Sequence, residues 1–148
     1  GIMELLRYYE IDMIGKSVVV LGRSNIVGRP ISILTSLDDK FSNATTTLCH
    51  SKSKDIVNFT LNADVIIIAL GIPMFLKSDM VKNNCVIIDV GINRVDDENK
   101  KGYKVVGDAD FSSLVNKVSA ISPVPGGVGP MTIAMLVDNT IESAEKTL

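Results

Sequence analysis

The chain has no tryptophan, one histidine and two cysteines, and only 5% of its 148 residues are aromatic. Each scarcity removes a class of function. His50 has no carboxylate at motif spacing to orient its ring, so a phosphate contact suits it better than proton transfer. No cluster of ligating side chains predicts a metal. Cys49 and Cys85 both sit in apolar, strand-like runs, which predicts buried reduced thiols rather than a disulfide and fits a reducing compartment. A net charge of −2 gives no support to nucleic-acid binding. No apolar run approaches the ~20 residues of a membrane-spanning helix, and no signal-peptide pattern is present.

What is present suits a single domain with a sizeable core. Hydrophobic residues make up 46% of the chain and mean hydropathy is +0.29, slightly apolar for a water-exposed protein. Two explanations stand: strands buried on both faces, or a surface that meets another domain. The pattern along the chain alternates helix and strand. Ile2, Leu5, Leu6 and Tyr9 share one helical face, then "SVVVLG" reads as a short apolar strand. Val27, Ile31 and Leu34 recur at helical spacing. "ATTTLCH", "DVIIIALG" and "CVIIDVG" read as further strands, with a short helix at "SKDIVNFTLNAD" for which Ser53 is a plausible N-cap. A polar stretch with a hairpin around Asn99 to Gly102 follows, then a weak helix at "FSSLVNKV" and a short strand at "SAIS". Ile133, Val137, Ile141, Ala144 and Leu148 form one stripe of a closing helix. Four strands run apolar without alternation, as in a parallel sheet covered on both faces. The prediction is an α/β, three-layer, doubly wound Rossmann-type domain with a mostly parallel sheet.

In such a sheet a phosphate-binding turn follows the first strand, and "VVVLGRSNIVGRP" occupies that place. Gly22 ends the strand, and N–H groups at the next helix start can take phosphate. The spacing departs from G-x-G-x-x-G: Ser24 replaces the second glycine and the later one is Gly28. A glycine at such a place can also be a plain turn. The end of the second strand discriminates between cofactors. An NAD site uses an acid there for the ribose 2′-hydroxyl, whereas a 2′-phosphate calls for cations. No acid lies between Asp39 and Asp55; His50, Ser51 and Lys52 stand in that position, and Arg23 can reach the same phosphate. This favours NADP, against the alternative that "HSKSK" is a solvated cap. Gly71 and Gly91 end the third and fourth strands, either as turns or to admit a ligand, and Ile92 offers an apolar surface to it. Asp89 lies inside an apolar run and is expected to bind backbone N–H groups of a neighbouring loop.

Five stretches coincide in one order: "GRSNIVGRP", "CHSKSK", "DVGINR", "VVGDADF" and "SPVPGGVGPMTIAML". Together they resemble the bifunctional methylenetetrahydrofolate dehydrogenase / methenyltetrahydrofolate cyclohydrolase family, over the whole chain, with "PVPGGVGPMT" the most specific. The resemblance implies an NADP-binding Rossmann domain joined by two helices, here about residues 1–10 and 130–148, to a catalytic domain that this sequence does not contain. Gly22, Arg23 and Ser24 match the family's cofactor turn, Ser51 its 2′-phosphate contact and Ile92 a backbone contact to the cofactor. Pro125, Gly126, Gly127, Val128, Gly129, Pro130, Met131, Thr132 and Ile133 match the segment bordering the folate pocket. The family's Tyr-x-x-x-Lys motif is missing, since neither Tyr8 nor Tyr9 has a lysine four residues on. No catalytic residue is therefore expected in this chain, which is expected to be a fragment that binds cofactor without turnover.

Under that resemblance the Pro–Gly loop becomes a wall between cofactor and substrate. Pro123 and Pro125 hold the strand exit extended, Gly126, Gly127 and Gly129 clear space for a flat ring, and Pro130 opens the last helix. The competing reading is a simple turn, which one glycine would satisfy. The implied activity is oxidation of 5,10-methylenetetrahydrofolate by NADP and hydrolysis of the product to 10-formyltetrahydrofolate, with folate and a second copy of the chain as partners, the "INRVDDENKKGYKVV" hairpin a candidate dimer contact, and the cytoplasm or mitochondrion as compartment. The alternative function is a non-catalytic nucleotide-binding regulatory module.

Overall fold

A computed structural model describes residues 1–98 and 101–147. In chain order the elements are α1 (Ile2–Tyr8), β1 (Ser17–Leu21), α2 (Gly28–Thr35), β2 (Thr45–Cys49), α3 (Ile56–Leu61), β3 (Val65–Ile68), β4 (Val86–Asp89), β5 (Asn93–Asp96), β6 (Tyr103–Val106), α4 (Phe111–Leu114), β7 (Ala120–Ile121) and α5 (Val128–Glu145), with a 3-10 turn at Ser78–Met80. The main sheet has the order β2-β1-β3-β4-β7, and all of its pairings are parallel. β5 and β6 form a separate antiparallel ribbon. Asn99 and Lys100, on which the predicted hairpin tip falls, lie outside the described residues, as does Leu148.

Helices cover both faces because the strands are apolar on both. Val18 and Val20 of β1, Val65 and Ile67 of β3, and Ile88 of β4 pack with Leu6 of α1, Ile31 of α2 and Val128 of α5. The alternate residues Val19, Leu21, Ile66, Ile68 and Ile87 pack with Leu114 of α4, Leu76 and Val81, with Ile56 of α3 at the margin. Each fully buried aliphatic side chain contributes about 1.5–3 kcal/mol, so the three central strands dominate the core. This is the three-layer, doubly wound arrangement expected. The chain leaves β1 toward β2 on one side and returns to β3 on the other, so the crevice at the switch point opens above the carboxyl ends of β1 and β3.

Several local expectations are corrected. Three strands, not four, are continuously apolar: β2 is a threonine-rich edge strand whose Thr45–Leu48 stretch is exposed to half-buried, and Thr46 shares a 2.9 Å hydroxyl bond with Thr35. Ser53 does not cap α3. Asp55 holds the cap position in left-handed backbone (φ 53°) without a side-chain bond, while the Ser53 hydroxyl accepts the His50 N–H at 2.9 Å and closes the turn after β2. Val27 precedes α2 rather than facing the core from it. Tyr9 lies beyond α1 and is exposed. Pro130 is the third residue of α5, not the first, because the helix begins at Val128 after Gly127; its missing N–H still falls in the first turn, where no intrahelical partner exists. Both cysteines are free and buried, as predicted.

Candidate functional site

Gly22 is the pivot of the first turn. Its φ is +112°, and a Cβ there would collide with the Ala69 carbonyl oxygen at the end of β3. Its N–H bonds the Cys49 carbonyl at 2.9 Å, so Gly22–Ser24 and His50–Ser51 leave the sheet side by side. Gly28 lets α2 start directly against this turn, since a Cβ would lie 2.6 Å from the Gly22 carbonyl carbon. Ser24 Oγ accepts the N–H groups of Val27 (3.1 Å) and Gly28 (3.3 Å), which leaves its own proton free to donate. The N–H groups of Arg23, Ser24, Asn25 and Ile26 meet no partner among the described residues. A tight turn with free donors at the start of an eight-residue helix is an anion cradle.

Around it the charge is positive. Arg23, Ser51 and Lys52 are exposed, and Arg23 has neither an ion pair nor a side-chain hydrogen bond among the described residues. His50 is half-buried, and its Nδ1 accepts the Lys52 N–H at 3.1 Å. Burial pushes the Cys49 thiol up in pKa, with a weaker opposing effect from the Ser53 hydroxyl, so this neighbour is an inert packing residue.

At the ends of β3 and β4 the glycines divide in role. Gly71 (φ +70°) is exposed with open space where a Cβ would be. Gly91 is buried, and its missing side chain admits the Asp108 carboxylate rather than a ligand. Ile92 beside it is 70% exposed. Asp89 binds loop N–H groups as anticipated: those of Gly91 (2.8 Å) and Asp108 (3.0 Å) on Oδ1 and of Ala109 (2.8 Å) on Oδ2. Burial pushes its pKa up, partly opposed by those bonds and reinforced by the neighbouring Asp108 carboxylate.

A cavity of about 170 Å³ joins these residues to the Pro–Gly loop: Gly91 and Ile92 face Pro125, Gly126, Gly127, Val128, Gly129 and Pro130 across it. The loop is not an extended exit throughout. Val124–Gly126 form a turn, with a cis Val124–Pro125 bond and Gly126 at φ +103°. Gly127 is bare for an internal reason, since a Cβ would strike the Pro123 carbonyl oxygen. Gly126 and Gly129 are the open ones: nothing lies within 4 Å of a Cβ at Gly126, and only Ile92 Cδ1, at 3.9 Å, near one at Gly129. Met131 turns instead toward a larger groove of about 720 Å³ beside α1 and β7, Thr132 toward a third cavity with Gly1 and Ile26, and Ile133 is exposed on α5. The structure thus gathers the predicted residues through Pro130 along one edge of the sheet, and Met131 to Ile133 run away from it down the helix.

Comparison with known proteins now decides the family. Residues 1–148 match the family described as tetrahydrofolate dehydrogenase/cyclohydrolase, NAD(P)-binding domain. The chain belongs to that family. It is 58% identical over 142 residues to the bifunctional protein FolD of Flavobacterium johnsoniae (95% of this chain, 48% of that protein) and 54% identical over 146 residues to that of Chlamydia abortus (99% and 51%). The chain spans about half the length of these curated relatives. Among solved structures it resembles the bifunctional FolD methylenetetrahydrofolate dehydrogenase/cyclohydrolase of Campylobacter jejuni (TM-score 0.90, 50% identity, 99% of this chain and 49% of that one). It also resembles the Trypanosoma brucei FolD enzyme, described as complexed with NADP cofactor and inhibitor (TM-score 0.89, 37% identity, 99% and 49%). No helix among the described residues is long and apolar enough to cross a membrane.

Two residues of this family domain escaped the reading of the sequence. Ser122 and Asp108 are both buried. Ser122 Oγ accepts the Asp89 N–H at 2.8 Å, anchoring the start of the Pro–Gly loop to the end of β4. The signal for Asp108 was its setting: an acid between Gly107 and Ala109, just after Val105 and Val106, has little room to stay in water.

Proposed function

We propose that this chain is the NADP-binding half of an enzyme that oxidises 5,10-methylenetetrahydrofolate to the methenyl form and hydrolyses that to 10-formyltetrahydrofolate. The observation that carries the cofactor assignment is the cationic, acid-free turn after β2 lying beside the free N–H groups after β1. The arrangement fits a dinucleotide diphosphate and a third phosphate: Arg23 to Ile26 present donors, Ser24 keeps a hydroxyl proton, and Arg23, His50 and Ser51 surround the place where an NAD site would keep a carboxylate. NADP, when bound, supplies hydride acceptance. The chain's residues hold it and exclude water. Gly71, Gly91 and Ile92 line the path across the sheet edge, and the segment from Pro125 to Pro130 gives a rigid, low-bulk border for a flat pterin at the 170 Å³ cavity.

The general acid or base for hydrolysis belongs to residues outside this chain, so the isolated chain binds cofactor and turns over neither folate. α1 and α5 serve as the connections to that other half. α5 supports this: of its residues only Val128 is buried, and Ile133, Leu136, Val137 and Ile141 are all more than half exposed. The enzyme works in the cytoplasm as a homodimer, with the separate β5–β6 ribbon as the contact.

Isothermal titration with NADP and with NAD tests the reading. Tighter binding of NADP is expected; equal or reversed preference removes the roles given to Arg23 and Ser51.

A further inference from the structure

Asp108 is fully buried, yet among the described residues no cation hydrogen-bonds its carboxylate. Its Oδ2 accepts the N–H groups of Leu70 (2.6 Å) and Gly71 (2.8 Å), in the loop just beyond β3. Its Oδ1 accepts the Asn93 Nδ2 at 2.8 Å, at the foot of the β5–β6 ribbon. One side chain therefore links the loop after β3 to the start of β5, 37 and 15 residues away in sequence, beside the backbone bonds from the Val90 N–H to the Ile68 carbonyl (2.9 Å) and from the Met74 N–H to the Gly107 carbonyl (3.1 Å). Room is kept for it, since a side chain on Gly91 would overlap its carboxylate. Its backbone is fixed in turn by Asp89, which accepts the Asp108 N–H. Burying an anion is costly, and a simple loop end could be satisfied by water. Here the charge sits where the loops carrying Gly71 and Ile92 must keep a constant separation.

We infer that Asp108, with Asn93, is a positioning residue of the cofactor site: its carboxylate clamps the loop after β3 to the segment after β4, and so holds Gly71 and Ile92 at the spacing the dinucleotide needs. The assignment rests on the NADP reading above. It predicts pair-specific coupling, because an aspartate at position 93 would set two carboxylates within hydrogen-bond distance and push the loops apart, while an asparagine at 108 would restore a donor–acceptor pair.

The test uses the full-length enzyme. Asn93→Asp, Asp108→Asn and the double variant are titrated calorimetrically with NADP well below their melting temperatures, where a loss of stability alone leaves Kd unchanged. N93D should weaken NADP about tenfold, and N93D/D108N should return it to within about threefold of wild type. Wild-type affinity in N93D, or a double variant no better than N93D, overturns the clamp. Should N93D fail to fold, Asn93→Ala, which deletes the donor without adding charge, must still weaken NADP at least threefold, or the assignment falls. A wild-type enzyme that binds no NADP overturns the cofactor reading, and the clamp with it; a wild type that binds beside an indifferent N93D overturns the clamp alone.

Discussion

Gly28→Ala is the sharpest probe of the first turn. The added methyl would lie 2.6 Å from the Gly22 carbonyl carbon and 2.9 Å from Arg23 Cα, whereas ordinary contact begins near 3.4 Å. Both obstacles are backbone, so no rotamer change relieves them. Either α2 or the turn must move by roughly 1 Å, and overpacking of that kind costs about 1–3 kcal/mol. Each kcal/mol corresponds to about 2–4 °C of melting temperature in a domain of this size, so calorimetry should show a fall of several degrees. The same displacement separates the free N–H groups of Arg23 to Ile26 from one another's common target. A misplacement of ~1 Å at such a cradle is worth orders of magnitude in a positioned reaction, and at least tenfold weaker NADP binding is expected by titration. G28A with wild-type stability and wild-type NADP affinity would refute both the close approach and the cradle.

Arg23→Ala should weaken NADP by at least tenfold while NAD changes by less than threefold, because in the proposed site the guanidinium meets only the extra phosphate; charge-assisted bonds of this kind contribute about 1.5–3 kcal/mol, and parallel titrations check it. Gly129→Ala lies in helix with space for a methyl, so it should leave the melting temperature unchanged or raise it, by at most about 1 kcal/mol in stability, yet raise the KM for folate in the full-length enzyme. Asp64 is held below the ordinary carboxylate value of 3.8, first by the Lys82 hydrogen bond and then by the Ser17 N–H. Its folded-state pKa is depressed, so its stabilisation is present above the unfolded value and fades as pH falls through the folded one. Both side chains are over a third exposed (36% for Asp64, 37% for Lys82), which limits the pair to roughly 0.5–1 kcal/mol. Denaturation of Asp64→Asn against wild type should show that gap at pH 7 and its closure in acid; a gap that persists in strong acid would contradict the assignment.

Much of the fold was legible because the apolar strands β1, β3 and β4 are short, continuous and punctuated by glycine or aspartate. β2 was found as a strand but not as an edge, since threonine fits a pleated surface without saying how many neighbours it has. Ser53 was misread because a serine before a helix looks alike whether it caps the helix or closes the preceding turn; only the fold of the turn at His50 separates the two. In the site, the absence of acid between Asp39 and Asp55 was visible as composition. The division of labour among glycines was not. Gly91 and Gly127 are bare to fit the Asp108 carboxylate and the Pro123 carbonyl, both of which arrive from elsewhere in the chain. Asp108 was overlooked for the same reason: its partners lie 15 to 38 residues away.

The strands that are apolar on both sides have a further consequence. Sliding β3, whose sequence is Val-Ile-Ile-Ile, by one residue would exchange its two faces and expose nothing, so greasiness by itself leaves its alignment almost undetermined. Alignment must come from the polar punctuation at the strand tips. Asp64 reaches the Ser17 N–H at 2.8 Å at one end, and at the other the Ala69 N–H meets Leu21 while the next N–H meets Asp108. The polar groups at the strand tips thus act as the sheet's ruler, half-buried Asp64 at one end and buried Asp108 at the other.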